Sequence, residues 1–407
     1  MGTMGTTGTT GTTGTTGTTG TTGEDTTWIY VDSVPALGAR VIHLPADAEP
    51  RSSARLPAPT AGPTWIENAL LRVEVDTATG AVTRIYDKRV GREVLAVGGR
   101  ANVLQVLDDR PAQWDAWNVM PSPETWEVTA VGRTGGRADR DAARFTIERT
   151  WGSSVFRQTL VLWREADYLE VENEVDWRER QKLLKVGFAF SVAPDSATFE
   201  IPYGTIDRSG RPTTQAERAK FEVPGQRWAD VSADGYGISV LNDAKYGWDY
   251  RDGTVRLSLL KAPIWPDSTA DRGHHRFRFA VLPHAGDWRA ARIERRAAEY
   301  NVPLLGAAEP THAGPLGRIA DFGGSVSDGA TVAWVKRAED SDRLVLRVVE
   351  WHGRPGDVTV QLPCAARTVH RANLLEDLGV SLPVDGKTTR LSLRAFEIAT
   401  LAVECPT

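Results

Sequence analysis

The sequence predicts an all-β protein: two large antiparallel sheets packed face to face, one linking helix, and a smaller β-sandwich at the C-terminal end. Three observations carry this expectation. Apolar and polar residues alternate with period two through most of residues 65–283, as in Leu71, Val73 and Val75 against Arg72 and Glu74, or Val255, Leu257 and Leu259 against Arg256 and Ser258. Gly- and Asp-containing turns such as residues 76–80 separate these runs. Helical windows are nearly absent over a span well beyond the about 100 residues of an immunoglobulin-like domain, which favours large packed sheets.

The elements follow in order. Residues 1–23 are almost entirely Gly and Thr, with nothing large to bury and maximal backbone entropy to lose, so residues 1–25 are expected to lack order. A collagen-like helix is excluded because the repeat carries no proline. Residues 26–63 end in a Pro-, Ala- and Ser-rich linker, and residues 64–286 read as the large sandwich. Asp287 suits an N-cap, Ile293, Ala297 and Tyr300 recur at helical spacing, and Pro303 stops the run, which defines a linking helix over residues 287–303. Residues 304–407, with strands expected at 344–351, 358–362 and 391–403, form the terminal sandwich.

Composition narrows the function. The 407 residues are 41% hydrophobic and 25% charged, ordinary for a soluble globular protein. A net charge of −5, from 48 basic and 53 acidic residues, gives no footprint for nucleic acid. Cys364 and Cys405 are late and isolated, which indicates neither a disulfide framework nor a thiolate metal cage and fits a reducing cytoplasm. No run reaches the ~18 apolar residues of a membrane span, and the N-terminus lacks a signal-peptide pattern, so no membrane partner is expected.

The chemistry-bearing stretch is Leu-Asn-Asp-Ala-Lys-Tyr-Gly-Trp-Asp-Tyr, residues 241–250. Aromatic faces can stack on the C–H side of a sugar ring while short carboxylates, amides and an ammonium take its hydroxyls. Asn242, Asp243, Lys245 and Tyr246 are therefore candidate carbohydrate contacts. Asp271 and Arg272 join them, placed before Gly273 at the mouth of a strand over residues 277–282. A guanidinium fixes hydroxyls or carboxylates without changing charge, so Arg272 would bind rather than shuttle protons; an ion pair to Asp271 or Asp267 is the competing role.

Other constellations read as structural. Glu170, Glu172, Glu174 and Asp176 alternate along one strand, the pattern of a solvated sheet face rather than a hydrolytic pair. His274 and His275 are adjacent, so in a strand they point to opposite faces and do not share a metal. His284 reads as a hydrogen-bonder at a domain junction. Of fourteen tryptophans, Trp163, Trp177, Trp334 and Trp351 lie in strand patterns and are expected in cores, whereas Trp114 and Trp117 face either a sugar or a domain.

The same segments, with the runs at 201–206, 218–224, 65–68, 86–88, 110–117, 282–288, 337–342 and 395–398, resemble the C-terminal half of glycoside hydrolase family 38 α-mannosidases. The resemblance implies that residues 26–63 begin with the remnant of a preceding small β domain, and it implies a mutarotase-like super-sandwich, a mannose-containing carbohydrate as ligand, and for Arg272 the place of an arginine in a D-R-G loop that reaches the sugar pocket. It also implies a catalytic domain with a nucleophilic aspartate and a metal, usually zinc. None of the seven histidines stands in the H-x-D pair of that domain. The catalytic domain is therefore expected to be absent, with zinc or another divalent metal belonging only there, no catalytic residue in this chain, and a separately encoded catalytic domain as a partner. The competing expectations are a mutarotase-type epimerase using Glu222, His274 and His275, or a pure interaction module that completes such a mannosidase.

Overall fold

The computed structural model describes residues 56–120, 124–307 and 329–406, with shorter pieces at 4–9, 13–18, 27–31, 34, 38–42, 313–314, 317–321 and 326. The all-β expectation holds. A nine-stranded antiparallel sheet runs, in spatial order, through Ala130–Ala138, Ala142–Trp151, Ser154–Trp163, Leu169–Trp177, Gly273–Ala285, Tyr236–Asn242, Trp228–Ala233, Ser196–Ile201 and Gly204–Ser209. A six-stranded sheet packs against it, in the order Thr125–Glu127, Val103–Asp108, Lys182–Ala189, Thr254–Lys261, Gly247–Arg251 and Val223–Pro224. Period-two alternation puts one face of each strand inward, and Phe145, Phe156, Trp177, Leu184, Trp248 and Phe279 meet in the shared core.

Several boundaries move. Thr60–Ala61 pairs with Trp65–Glu67, so the large sandwich starts inside the expected linker. The Gly/Thr repeat, expected to lack order, contains strands Met4–Thr9 and Thr13–Thr18, the latter paired with Thr27–Val31; β-branched threonine favours extended backbone. The helix spans Ile293–Asn301 only. Asp287 caps an earlier turn, its Oδ1 accepting from the Ala290 N–H at 2.9 Å, and Arg292 at φ 52° breaks the run before the helix begins.

That helix covers one end of the nine-stranded sheet. Tyr168, Trp228, Leu241, Leu282, Trp288 and Ile293 form a dry cluster between them. Glu170 points into this covered zone and is buried, accepting hydrogen bonds from Trp163 Nε1 at 2.8 Å and Arg278 at 2.9 Å, whereas Glu172 and Glu174 are exposed. The solvated-face expectation thus fails at its first position, because a helix lies over it. His284 is buried and bonded through Nε2 to Asp230 at 2.7 Å, the structural role expected of it.

The terminal sandwich pairs a five-stranded sheet, Ala330–Arg337 to Leu344–Glu350, Ile398–Glu404, Thr368–Ala372 and Leu378–Leu382, with a three-stranded one, Gly356–Gln361, Thr388–Leu393 and Val384–Asp385. The segment expected as one strand over 391–403 is two, in different sheets, turned where Phe396 takes φ 55° and Glu397 accepts the Arg394 N–H at 2.7 Å. Cys364 and Cys405, expected to stand isolated, are joined by a disulfide across 41 residues. Strand pairing of Thr368 with Glu404 brings the two chain segments together.

Candidate functional site at the ends of two paired strands

Strands Tyr236–Asn242 and Gly273–Ala285 are neighbours, with Asn242 opposite Phe279. The turn leaving the first therefore lies beside the N-terminal half of the second, and the charges of Asp271 and Asp243 both reach Lys245. Asn242 is buried and shapes the turn: its Oδ1 accepts the Ala244 and Lys245 N–H groups at 3.1 and 2.6 Å, and its Nδ2 donates to the Gln226 carbonyl at 2.9 Å. Asp243 ties turn to strand, accepting the Arg278 N–H at 3.1 Å with its second oxygen 3.4 Å from the Arg278 Nε. Both side chains are already engaged by the protein.

The remaining four are less committed. The Lys245 ammonium lies 4.3 Å from the Phe277 ring centroid, a cation–π contact. Burial holds its pKa below the ordinary lysine value, while Asp271 and Asp243 pull it back up. Tyr246 is 63% exposed. Asp271 adopts φ 57°, and its carbonyl accepts from or faces His275 Nε2 at 2.8 Å. Arg272 forms an ion pair with neither Asp271 nor Asp267 among the described residues, and its buried Nε has no hydrogen-bond partner. A guanidinium with unmet donor capacity, an exposed phenol and an ammonium are each groups that can grip hydroxyls or a carboxylate.

A second exposed feature was only half visible in the sequence. Trp114 and Trp117 meet Trp265, whose centroid is 4.8 Å and 5.6 Å from theirs, and all three are exposed. Trp265 had no periodic pattern to mark it, since it sits in a loop after the strand Thr254–Lys261.

Residues 66–269 match the glycosyl hydrolases family 38 C-terminal domain, and residues 329–401 the family 38 C-terminal beta sandwich domain. The chain belongs to glycoside hydrolase family 38. It is 34% identical to alpha-mannosidase 2C1 of Homo sapiens over 386 residues, covering 91% of this chain and 36% of that protein. It is 31% identical to alpha-mannosidase of Saccharomyces cerevisiae over 239 residues, covering 54% of this chain and 22% of that protein. In fold it is similar to an alpha-mannosidase from Enterococcus faecalis V583, with a TM-score of 0.70, 17% identity, and coverage of 85% of this chain and 43% of that one. The chain thus spans about a third of the human relative, 36% of its length.

Family 38 implies a metal, and the residues described here do not fit one. No group of three or more His, Cys, Asp and Glu side chains among them is placed to hold a cation. His274 stands exposed 3.9 Å from Asp176, His275 faces the Asp271 carbonyl, and His284 is engaged with Asp230 and Ser239. The mutarotase-type trio is also dispersed: Glu222 is bound to Lys185 at the six-stranded sheet, whereas His274 and His275 ride on a strand of the other sheet.

Sequence reading missed a buried ionic cluster of this family 38 chain. Lys185, fully buried, pairs with Glu222 and, at 2.5 Å, with Asp249, which also accepts from Arg256 at 2.8 Å. Cross-strand register could have found it: Lys185 lies opposite Ser258, and Asp249 opposite Arg256, once the strand order is known.

Proposed function

We propose that this chain is the carbohydrate-binding and supporting region of an α-mannosidase-like hydrolase, that its ligand is a mannose-containing carbohydrate, and that it cleaves no glycosidic bond alone. The observation that supports this most is the match to the family's C-terminal domains. Family membership rests on C-terminal domains, over residues 66–269 and 329–401, and the human α-mannosidase is matched over 36% of its length. Retaining glycoside hydrolysis needs two carboxyl groups about 5 Å apart, one as nucleophile and one as acid and base. The loop-borne groups here, Arg272, Lys245 and Tyr246, are donors suited to orienting a sugar instead. Asn242, Asp243 and Asp271 shape and charge that loop pair. In this reading the metal and the reacting carboxylates come from a catalytic domain, which a separately encoded chain would supply as partner.

The test is an aryl α-mannoside assay on the purified 407-residue chain, with zinc and cobalt added in turn. No turnover above blank is expected; turnover that a chelator abolishes would refute the proposal. Accelerated anomer exchange of free mannose, followed by polarimetry, would instead support the epimerase reading. The proposal includes a cytosolic location, where reducing thiols act against the Cys364–Cys405 bond. Alkylation of freshly lysed cells reads this directly: two labelled thiols support the location, and none opposes it. Among the described residues no helix is long and apolar enough to cross a membrane.

A further inference from the structure

The geometry points to a second sugar subsite: Trp114, Trp117 and Trp265 form an aromatic corner that takes the apolar face of a pyranose ring. This inference rests on the carbohydrate reading above and adds a place for it, built on indoles instead of on Arg272.

Exposure is the first argument. The three indoles are 54%, 66% and 48% exposed and meet one another, so they form a contiguous apolar surface instead of a scatter of single residues. The second argument is that the protein fixes them. Asp115, only 6% exposed, accepts the N–H groups of Ile264 and Trp265 at 2.7 and 3.1 Å, which clamps the loop carrying Trp265 onto the loop carrying the other two. Lys261 adds a second clamp, bonded to Asp109 and, at 2.7 Å, to the Asn118 carbonyl. A buried carboxylate that organises two loops only to display three tryptophans to solvent is hard to explain by stability.

The backbone adds a third argument. Trp114 adopts φ 57°, a region that disfavours bulky L-residues. Such strain persists where the surroundings over-determine it, and it gathers at ligand sites. Here the surroundings are the turn in which the Trp117 and Asn118 N–H groups both reach the Trp114 carbonyl at 2.9 Å.

Shape and rim select the ligand. The ring planes meet at 72°, 67° and 56°, which makes a corner and not a flat plate. On the same chain segment stand Gln113, exposed and next to Trp114 in sequence, and Arg110, 63% exposed and paired through Nε with Asp108 at 3.1 Å. A pyranose presents that combination in reverse, with a C–H face that packs on indole and a hydroxyl rim that meets guanidinium and amide.

The experiment is an indole N–H titration by NMR on the full chain, with methyl α-mannopyranoside and α-linked mannobiose as probes and Trp→Phe substitutions for assignment. Binding at millimolar concentration is expected, the range of a single ring on an open site. The signals of Trp114, Trp117 and Trp265 should shift together, Trp117→Ala should weaken the apparent affinity at least tenfold, and Trp117→Tyr should restore part of it. Near-ultraviolet circular dichroism checks that the variants are folded. Arg272→Ala should leave these three shifts in place. If the shifts appear only around Tyr246 and vanish in Arg272→Ala, the carbohydrate reading survives and the aromatic corner is refuted. Absence of any perturbation refutes both. Self-association in sedimentation that Trp117→Ala abolishes, without sugar-induced shifts, also overturns the subsite, by showing the corner to be a protein interface.

Discussion

Lys185 and Lys245 make an informative pair, since both are cationic side chains drawn out of water and only one has its charge answered. Lys185 is 1% exposed and bound by the carboxylates of Glu222 and Asp249, which are in turn bonded to Ser258 and Arg256. Two cations there face two carboxylates. Lys245 rests on the Phe277 ring, with Asp243 already turned toward Arg278 and Arg272 nearby in sequence to Asp271 but unpaired. The second group keeps capacity for something outside the protein, which is why it, and not the larger cluster, is the binding candidate.

The difference has its largest consequence in stability. Lys185→Met would strand two carboxylates, one of them 1% exposed, and removing one partner of a buried ion pair costs about 3–5 kcal/mol. Lys245→Met removes only a half-buried ammonium over a ring and should change stability by less than about 1 kcal/mol. Urea denaturation of the two variants decides the matter. Equal losses would show that the Lys245 environment is as closed as the other.

A third network sets the next expectation. Asp167 joins the linking helix to the sheet, bonded to Arg296 at 2.5 Å and Arg89 at 2.9 Å, while Arg89 also donates to the Pro283 carbonyl at 2.7 Å. Burial by itself would raise the Asp167 carboxyl, but the Arg296 and Arg89 guanidiniums outweigh it and hold the pKa below the ordinary aspartate value. A carboxyl lowered on folding adds stability above its unfolded pKa, and that stability disappears as pH falls through the folded value. Asp167→Asn should therefore cost roughly 2 kcal/mol at neutral pH. It should also flatten the acid limb of a stability-against-pH curve, and an unchanged limb would mean that other carboxylates govern it.

Periodicity made the sheets legible because it is local. Leu71–Val75 alternates buried and half-buried residue by residue, as its spelling suggests. Two failures have a common cause in what periodicity does not encode. Trp334 shares parity with Ala330 and Val332, which are buried, yet it is 59% exposed, because a register shift between Val332 and Trp334 turns the strand over. Glu170 shares parity with exposed Glu172 and Glu174 but lies beneath a helix more than a hundred residues away in sequence. Of the candidate site, the residue types were legible. Its internal division was not: nothing in the spelling separates Asn242 and Asp243, engaged in holding the turn, from Lys245, Tyr246 and Arg272.

The smallest expected effect tests that division most directly. Burial depresses the Lys245 pKa, and Asp271 opposes the depression more than Asp243 does. A lysine lowered on folding takes up its proton more readily when unfolded. Its contribution to stability is thus present above the ordinary lysine value and lost as pH falls through the folded one. Asp271→Asn removes the principal opposing charge and leaves burial in place, so the pKa should fall further, as read from the Lys245 ε-methylene carbon in an NMR titration. Asp243→Asn should move it less, because that carboxylate is already shared with the Arg278 guanidinium. If Asp271→Asn leaves the titration where it was, Asp271 does not face Lys245, and the loop pair lacks the shared polar interior that a sugar hydroxyl would enter.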